Sequence, residues 1–216
     1  MTDASEREGF AAFLLRARSL GITGRELIAA IEATPRRNFV PDQWRADAWS
    51  RRMVPIECGE SIEGIDLQAV CLSALGIQPG QRVCEIGTGS GYTAAVMARI
   101  AGRVFSLERY RTLAAQAQER VDALGLQNVI VRHADGLADV VIEGPFDRII
   151  CWCAFDSLPR HFVDQLSSNG VMIAAIGPAE DEQALARLTK VGSRFEREDI
   201  GRVRFQPIVK GIAASI

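Results

Sequence analysis

The sequence predicts an α/β fold built on a doubly wound, mostly parallel sheet, and three observations carry that expectation. Short apolar runs alternate with helical patterns between residues 82 and 176, the order of chained βαβ units. One run, Arg82-Val83-Cys84-Glu85-Ile86, passes directly into a glycine-rich turn, Gly87-Thr88-Gly89-Ser90-Gly91, and a helix opens at Tyr92. The run from Phe146 to Trp152 is apolar without clean alternation, as expected of a strand buried on both faces.

The elements follow in order. Phe10, Phe13, Leu14 and Ala17 lie at helical spacing within residues 5–20. Thr23-Gly24-Arg25-Glu26 has the pattern of a capping box ahead of Leu27, Ile28 and Ile31. An irregular segment with Pro35, Pro41, Trp44 and Trp49 completes a helical cover over residues 1–50. A polar loop at 57–65 leads to a helix at 66–75, stopped by Gly76. Strands are expected at 82–86, 103–108, 128–132, 146–152 and 171–176, with helices at 92–100, at 113–124 and, briefly, at 162–166 before Asn169-Gly170. Residues 183–190 and 202–209 are expected to pair as a C-terminal antiparallel hairpin across a long charged loop, although 183–190 is equally helical by composition.

The 216 residues suit one domain, with 51–216 as its α/β core. A hydrophobic content of 48% and a charged content of 24% are ordinary for a globular protein. A net charge of −2 without a basic block argues against nucleic acid or anionic membrane as partners. No apolar run is long enough to span a bilayer, and the N-terminus lacks a signal peptide's basic and apolar regions. Five cysteines without a C-x-x-C pair fit a reducing cytoplasm, with Cys151 and Cys153 on one strand face as core packing. Two histidines without ligand spacing leave no expected metal site; His133 reads as a surface or adenine-packing group, with a part in catalysis as the alternative, and His161 as a surface group.

Ligands on such sheets sit beyond the carboxyl ends of the strands. Residues 87–91, Glu108 and Asp135-Gly136 all fall there, which points to a nucleotide-type ligand. The spacing narrows the choice. A dinucleotide turn reads G-x-G-x-x-G, whereas Gly91 comes one residue early and Tyr92 stands where the third glycine belongs. Glu85, two residues before Gly87, would repel a pyrophosphate but suits a cationic amine or sulfonium. The bland alternative is a tight strand–helix turn without a ligand.

Glu85-x-Gly87-x-Gly89-x-Gly91 resembles the first motif of the class I S-adenosylmethionine methyltransferases, which are Rossmann-like. The wider chain, over roughly 20–210, resembles the protein-L-isoaspartate O-methyltransferases. Pro35 through Phe39-Val40-Pro41, Val54-Pro55-Ile56, Glu85 through Val96, Ser106-Leu107-Glu108-Arg109, Asp135-Gly136, Pro145-Phe146-Asp147 and Val203-Arg204-Phe205-Gln206-Pro207-Ile208 carry that likeness. It implies S-adenosyl-L-methionine as cofactor and isoaspartyl residues of proteins or peptides as acceptors. It places Glu85, Gly87, Thr88, Gly89, Ser90 and Gly91 at the methionine end, Glu108 beside Arg109 at the ribose, and Asp135 with Gly136 at the adenine amine.

In the family a loop reading Gly-Gln-Thr-Ile-Ser closes over cofactor and substrate. Here it reads Gly59-Glu60-Ser61-Ile62-Glu63, with Ile62 over the cofactor and Ser61 and Glu63 as catalytic candidates. Glu63 stands in place of the family serine, Ile65 in place of a proline, and Cys153-Ala154-Phe155-Asp156 in place of small residues. An ionised Glu63 about 4 Å from an acceptor carboxylate would repel it by on the order of 4 kcal/mol, roughly three powers of ten in rate. Three outcomes are open at this point. Glu63 is protonated and donates a hydrogen bond; it swings outward and leaves the role to Ser61; or the acceptor is not a carboxylate but another small acceptor, with Glu63 as general base for an amine or hydroxyl. Beside these stands a solvated loop acid with no role. A same-fold methyltransferase with a different acceptor, and a cofactor-binding protein without isoaspartyl activity, are the corresponding alternatives.

Overall fold

The computed structural model describes residues 3–213. Seven strands form the main sheet in the order β5-β4-β3-β6-β7-β8-β9: β3 (Arg82–Ile86), β4 (Arg103–Glu108), β5 (Val129–His133), β6 (Phe146–Phe155), β7 (Leu166–Ile176), β8 (Gln183–Val191) and β9 (Arg194–Val203). Strands β3 to β7 are parallel, and β8 and β9 are added antiparallel. A separate two-stranded ribbon pairs β1 (Val54–Pro55) with β2 (Ser61–Ile62). The α/β class, the mostly parallel sheet and the antiparallel C-terminal pair are as the sequence predicts.

The chain moves outward from β3 through β4 to β5, then returns to the other side of β3 with β6. Two neighbouring strands therefore lead away in opposite directions, and a crevice opens between their carboxyl ends. That crevice holds the candidate site.

Both sheet faces are apolar. One carries Val83, Val104, Val129, Ile150 and Ile173 and is covered by α1 (Asp3–Ser19), α2 (Arg25–Glu32), α3 (Ile65–Leu75), α4 (Tyr92–Ala98) and α5 (Arg111–Ala123). The other carries Cys84, Ile86, Phe105, Leu107, Ile149, Leu166 and Met172, packed on Val140 and Phe162 of short connections. Alternate residues of one strand thus serve two cores, which is why these runs lack a polar face. Phe13 and Ala17 of α1 and Ala30 and Ile31 of α2 belong to the same buried cluster as α4, so the helical cover is packed into the sheet's core.

Several expected details differ. Helix α2 starts at Arg25 with Gly24 as its N-cap and no side-chain cap, so Thr23 and Glu26 form no capping box. With the cap at Gly24, Glu26 falls one position too early for the reciprocal bond. The expected helix at 162–166 is a 3-10 turn, Arg160–Gln165. Asn169-Gly170 does not stop it but lies inside β7, where Asn169 takes a φ of 60°. The terminal hairpin pairs β8 with β9 through a tight turn at Gly192-Ser193, so the charged stretch read as a loop is the strand itself. Arg194, Glu196, Glu198 and Arg202 tolerate that position because β9 is the sheet's edge, where charge also blocks pairing with other chains.

The turn after β3 depends on Gly91. Its φ is 86°, and a Cβ there would lie 2.9 Å from the Ala117 Cβ of α5. Gly125 shares the backbone sign, with φ 69°, but nothing lies within 4 Å of its Cβ position. Gly125→Ala should therefore lower unfolding stability by about 1 kcal/mol from backbone strain alone, and Gly91→Ala by at least about twice that. Urea denaturation with an unchanged slope is the measurement; equal losses would show that the contact with α5 contributes nothing.

Candidate active site

The lower floor of the crevice is a buried carboxylate. Glu85, on β3, is fully shielded from water and accepts from Ser106 Oγ of β4 at 2.6 Å and from Trp152 Nε1 of β6 at 2.9 Å. Thr93 Oγ1 of α4 donates to it as well. Because the Ser106 proton goes to Glu85, the 2.6 Å contact between Thr88 Oγ1 and Ser106 Oγ has Thr88 as donor. A relay from Thr88 through Ser106 thus ends on Glu85. Burial nevertheless pushes the Glu85 carboxyl up to about 7, against these donors and with Glu108 adding like charge.

Above it the glycine turn bends over the end of β3. Gly87 and Gly89 both have positive φ, 87° and 53°, and their bare backbone faces the cavity. Glu108, at the end of β4, holds this turn open. Its Oε2 accepts from the Gly89 N–H at 2.9 Å and its Oε1 from the Tyr110 N–H at 3.0 Å. Burial raises the Glu108 carboxyl, and these amide donors oppose the rise.

Around the turn lies a cavity of about 250 Å³. Gly87, Gly89, Glu108, Arg109 and Gly136 line it from the strand ends, and Ser61 and Glu63 from the loop beyond β1. The structure thus brings seven of the expected site residues to one opening. The others stand behind it. Thr88 and Ser90 are buried within the turn, Gly91 caps α4, and Glu85 lies beneath. Ile62 is buried in β2, with its Cγ2 3.4 Å from the Cβ position of Gly89, so it clamps the turn from outside.

Asp135 has two backbone partners beside the cavity. Its Oδ1 accepts from the Leu137 N–H at 2.9 Å and its Oδ2 from the Gly211 N–H at 2.8 Å, so the carboxylate ties the C-terminal segment to the loop after β5. Its neighbours Ala134 and Gly136 form the cavity wall. Gly136 is demanded by packing, since a Cβ there would come within 2.5 Å of Ile86. His133 contacts the Arg109 carbonyl at 3.1 Å through Nε2, a structural bond at the end of β5.

On the opposite wall Cys153, at the end of β6, lines the cavity within the strand-end stretch that the sequence singled out; sequence reasoning missed Trp152 beside it and Arg204 to Val209. The latter segment runs parallel to the last turn of β6: Ala154 N–H donates to Gln206 O and Ile208 N–H to Ala154 O, both at 2.8 Å. It fills the slot beside β6 that β3 vacates on turning into its glycine loop. Trp152 was recoverable from the rule about strand ends; the role of 204–209 was not, because nothing local marks it.

The loop with Glu63 is held from below by Arg36, whose side chain is fully buried. Arg36 donates through Nε to Ala48 O and through Nη2 to Glu63 O, each at 2.6 Å, and through Nη1 to Gln68 Oε1 of α3. Its guanidinium carbon lies 4.5 Å from the ring centre of Tyr92, the first residue of α4. Burial pushes the Glu63 carboxyl up to about 7, while the Arg36 charge pulls it down. Near neutral pH Glu63 is thus split between acid and carboxylate. Ser61 is exposed, its hydroxyl 3.9 Å from the Met53 sulfur.

A glycine turn over a strand end, acids on two adjacent strands and a ligand-sized crevice at the switch point define an α/β protein with a site for a nucleotide-type ligand. The family model for protein-L-isoaspartate(D-aspartate) O-methyltransferase matches residues 11–213. A protein-L-isoaspartate O-methyltransferase of Rhizobium meliloti is 48% identical over 200 residues, covering 93% of this chain and 98% of the relative. One from Azorhizobium caulinodans is 41% identical over 215 residues and 99% of both chains. A solved protein-L-isoaspartate O-methyltransferase superposes with a TM-score of 0.81 at 25% identity, over 96% of this chain and 67% of that one. A Plasmodium falciparum chain solved in complex with S-adenosyl-L-homocysteine shares the fold, with a TM-score of 0.79 at 22% identity over 93% of this chain and 98% of that one. The chain belongs to the protein-L-isoaspartate(D-aspartate) O-methyltransferase family.

Arg36 is the most heavily committed cation near the site. Arg36→Met should lower unfolding stability by about 3 kcal/mol, since it leaves three buried acceptors without a donor. Chemical denaturation reads this; a loss under about 1 kcal/mol would show that water replaces the guanidinium and that the strap does not depend on it.

Proposed function

We propose that this enzyme transfers a methyl group from S-adenosyl-L-methionine to the side-chain carboxylate of isoaspartyl residues in proteins or peptides. The observation that carries the reading is the convergence on one opening of the glycine turn, Glu108 and the Glu63 strap, in a chain of this family. The alternatives of another acceptor, or of binding without catalysis, are not favoured by relatives that share the name over almost their whole length.

The residues fit the cofactor. Two buried carboxyls, Glu85 and Glu108, are raised by burial, so a cationic ligand beside them relieves an electrostatic cost. Gly87 and Gly89 offer backbone without side chains for close approach. When bound, the cofactor supplies an electrophilic methyl group on a sulfonium. Glu108 and Arg109 would meet its ribose, Ala134 and Gly136 its adenine, with Thr88, Ser90, Gly91 and Ile62 keeping the turn in shape. Asp135, already bonded to two amides, would offer its remaining lone pairs to the adenine amine.

The acceptor carboxylate is ionised at neutral pH, so no general base is required. The chain's task is to orient it and to exclude water. Glu63 in its acid form donates a hydrogen bond to that carboxylate, the part a serine hydroxyl plays elsewhere in the family. Its raised pKa removes the repulsion an ionised acid would impose. Ser61 stands beside it as a second hydroxyl donor. The reading places the reaction in the cytoplasm, on protein rather than nucleic acid. Among the described residues no helix is long and apolar enough to cross a membrane.

Turnover of an isoaspartyl peptide to a base-labile methyl ester is expected, and none above the enzyme-free background would remove the reading. The sign of the pH dependence follows from Glu63. Its acid form, the donor, prevails below about 7 and is lost as pH rises through that value. Wild-type kcat/KM should fall above about pH 7, whereas Glu63→Gln, a neutral donor at every pH, should lose that fall. The same decline in both proteins would exclude Glu63 as the titrating donor.

A further inference from the structure

Strand β6 departs from regular pairing where it reaches the cleft. Ile150 pairs with Ile173 of β7 and Ala154 with Ala175, so Cys151, Trp152 and Cys153 together face the single residue Ala174. This is a bulge of the kind that re-aims side chains beside active sites. It brings the Cys151 and Cys153 sulfurs to 3.1 Å. All five cysteines are free thiols, and of this pair Cys151 is buried while Cys153 is half-buried and lines the cleft.

We propose that Cys151 and Cys153 form a reversible dithiol–disulfide site in the wall of the cleft, closed by a small-molecule disulfide such as oxidised glutathione, and that closing it weakens the grip on the cofactor. The geometry admits the bond. Residues two apart on an extended strand are separated by about 6.6 Å, at the upper end of what a disulfide spans, and a bulge shortens that distance. Cys153, reachable from the cleft, attacks the disulfide as thiolate, forming a mixed disulfide and releasing one small thiol. Cys151 then loses its proton and attacks the Cys153 sulfur, and the second small thiol leaves. Two protein S–H bonds and one S–S bond are exchanged for one protein S–S bond and two small thiols.

The Cys151 thiol, burial and the Glu108 and Glu60 carboxylates push the Cys153 thiol up, so exchange with an external disulfide is slow. The effect on the cofactor rests on the function proposed above and runs through Trp152, the residue between the two sulfurs. Its Nε1 donates to Glu85 at 2.9 Å, and its Cβ lies 3.4 Å from the Cβ position of Gly87. Drawing the sulfurs from 3.1 Å to about 2.05 Å tightens the bulge around that residue and disturbs both contacts.

The test treats the full chain with excess oxidised glutathione, then maps its thiols by mass. A loss of about two daltons within the peptide holding both cysteines is expected, reversed by dithiothreitol, with Cys58, Cys71 and Cys84 unlinked. Cys151→Ser should stop at a glutathione adduct on Cys153. Calorimetry with S-adenosylhomocysteine should show at least about tenfold weaker binding to the oxidised chain, restored on reduction. No Cys151–Cys153 linkage, or linkage with unchanged affinity, overturns the proposal. If the reduced chain binds no S-adenosylhomocysteine while the linkage forms, the cofactor reading fails and the dithiol chemistry stands.

Discussion

The site depends on one carboxylate kept from water. Glu85 sits on β3, yet its hydrogen-bond donors come from β4, α4 and β6. Four elements therefore meet at two oxygen atoms. Each bond to a buried charged group contributes roughly 1.5–3 kcal/mol, and losing one leaves the charge exposed to a low dielectric. The arrangement fixes how β3 and β6 sit relative to each other, which in turn fixes the width of the crevice between their ends. It also positions Ser106 under the glycine turn, so the turn is held through its own Thr88 by a relay of hydrogen bonds that ends at the buried acid.

Arg36 plays the opposite part on the other side of the cleft. A buried cation reaches a carbonyl of the N-terminal cover, the Gln68 side chain on α3 and the backbone of Glu63. The cover is thereby connected to the segment whose Ser61 and Glu63 line the cavity. The two centres of charge touch α4 at neighbouring residues, Arg36 over Tyr92 and Glu85 through Thr93. The first turn of that helix thus links the buried acid beneath the cleft to the Arg36 that holds the Glu63 backbone. Burial raises the Glu63 carboxyl to about 7, against the pull of the Arg36 charge.

Legibility in the sequence followed how local the cause was. The strand–turn–helix at 82–98 was plain, since glycine spacing and apolar periodicity are written within a dozen residues. Glu108 was found by its distance from that turn. The capping box at Thr23 misled because a neighbouring glycine took the cap. The charged run of β9 misled because an edge strand looks like a loop when composition alone is considered. Asp135 was expected at the adenine amine, but that the amides of Leu137 and Gly211 also hold its carboxylate was not legible. The second of these lies 76 residues away and has no local signature.

By itself the sequence determined the fold class, the strand ends at which a ligand would lie and the preference for a cation over a pyrophosphate. Those properties come from backbone freedom, side-chain periodicity and the sign of nearby charge, all of which act over short stretches of chain. Only the tertiary structure decided that Arg204 to Val209 wall the cleft, that Glu63 is held by Arg36, and that two thiols of a bulged strand meet at 3.1 Å. Each of these needs segments to be packed side by side. Burial, which moves a pKa, and sheet register, which moves a side chain by ångströms, exist only once the chain has closed on itself.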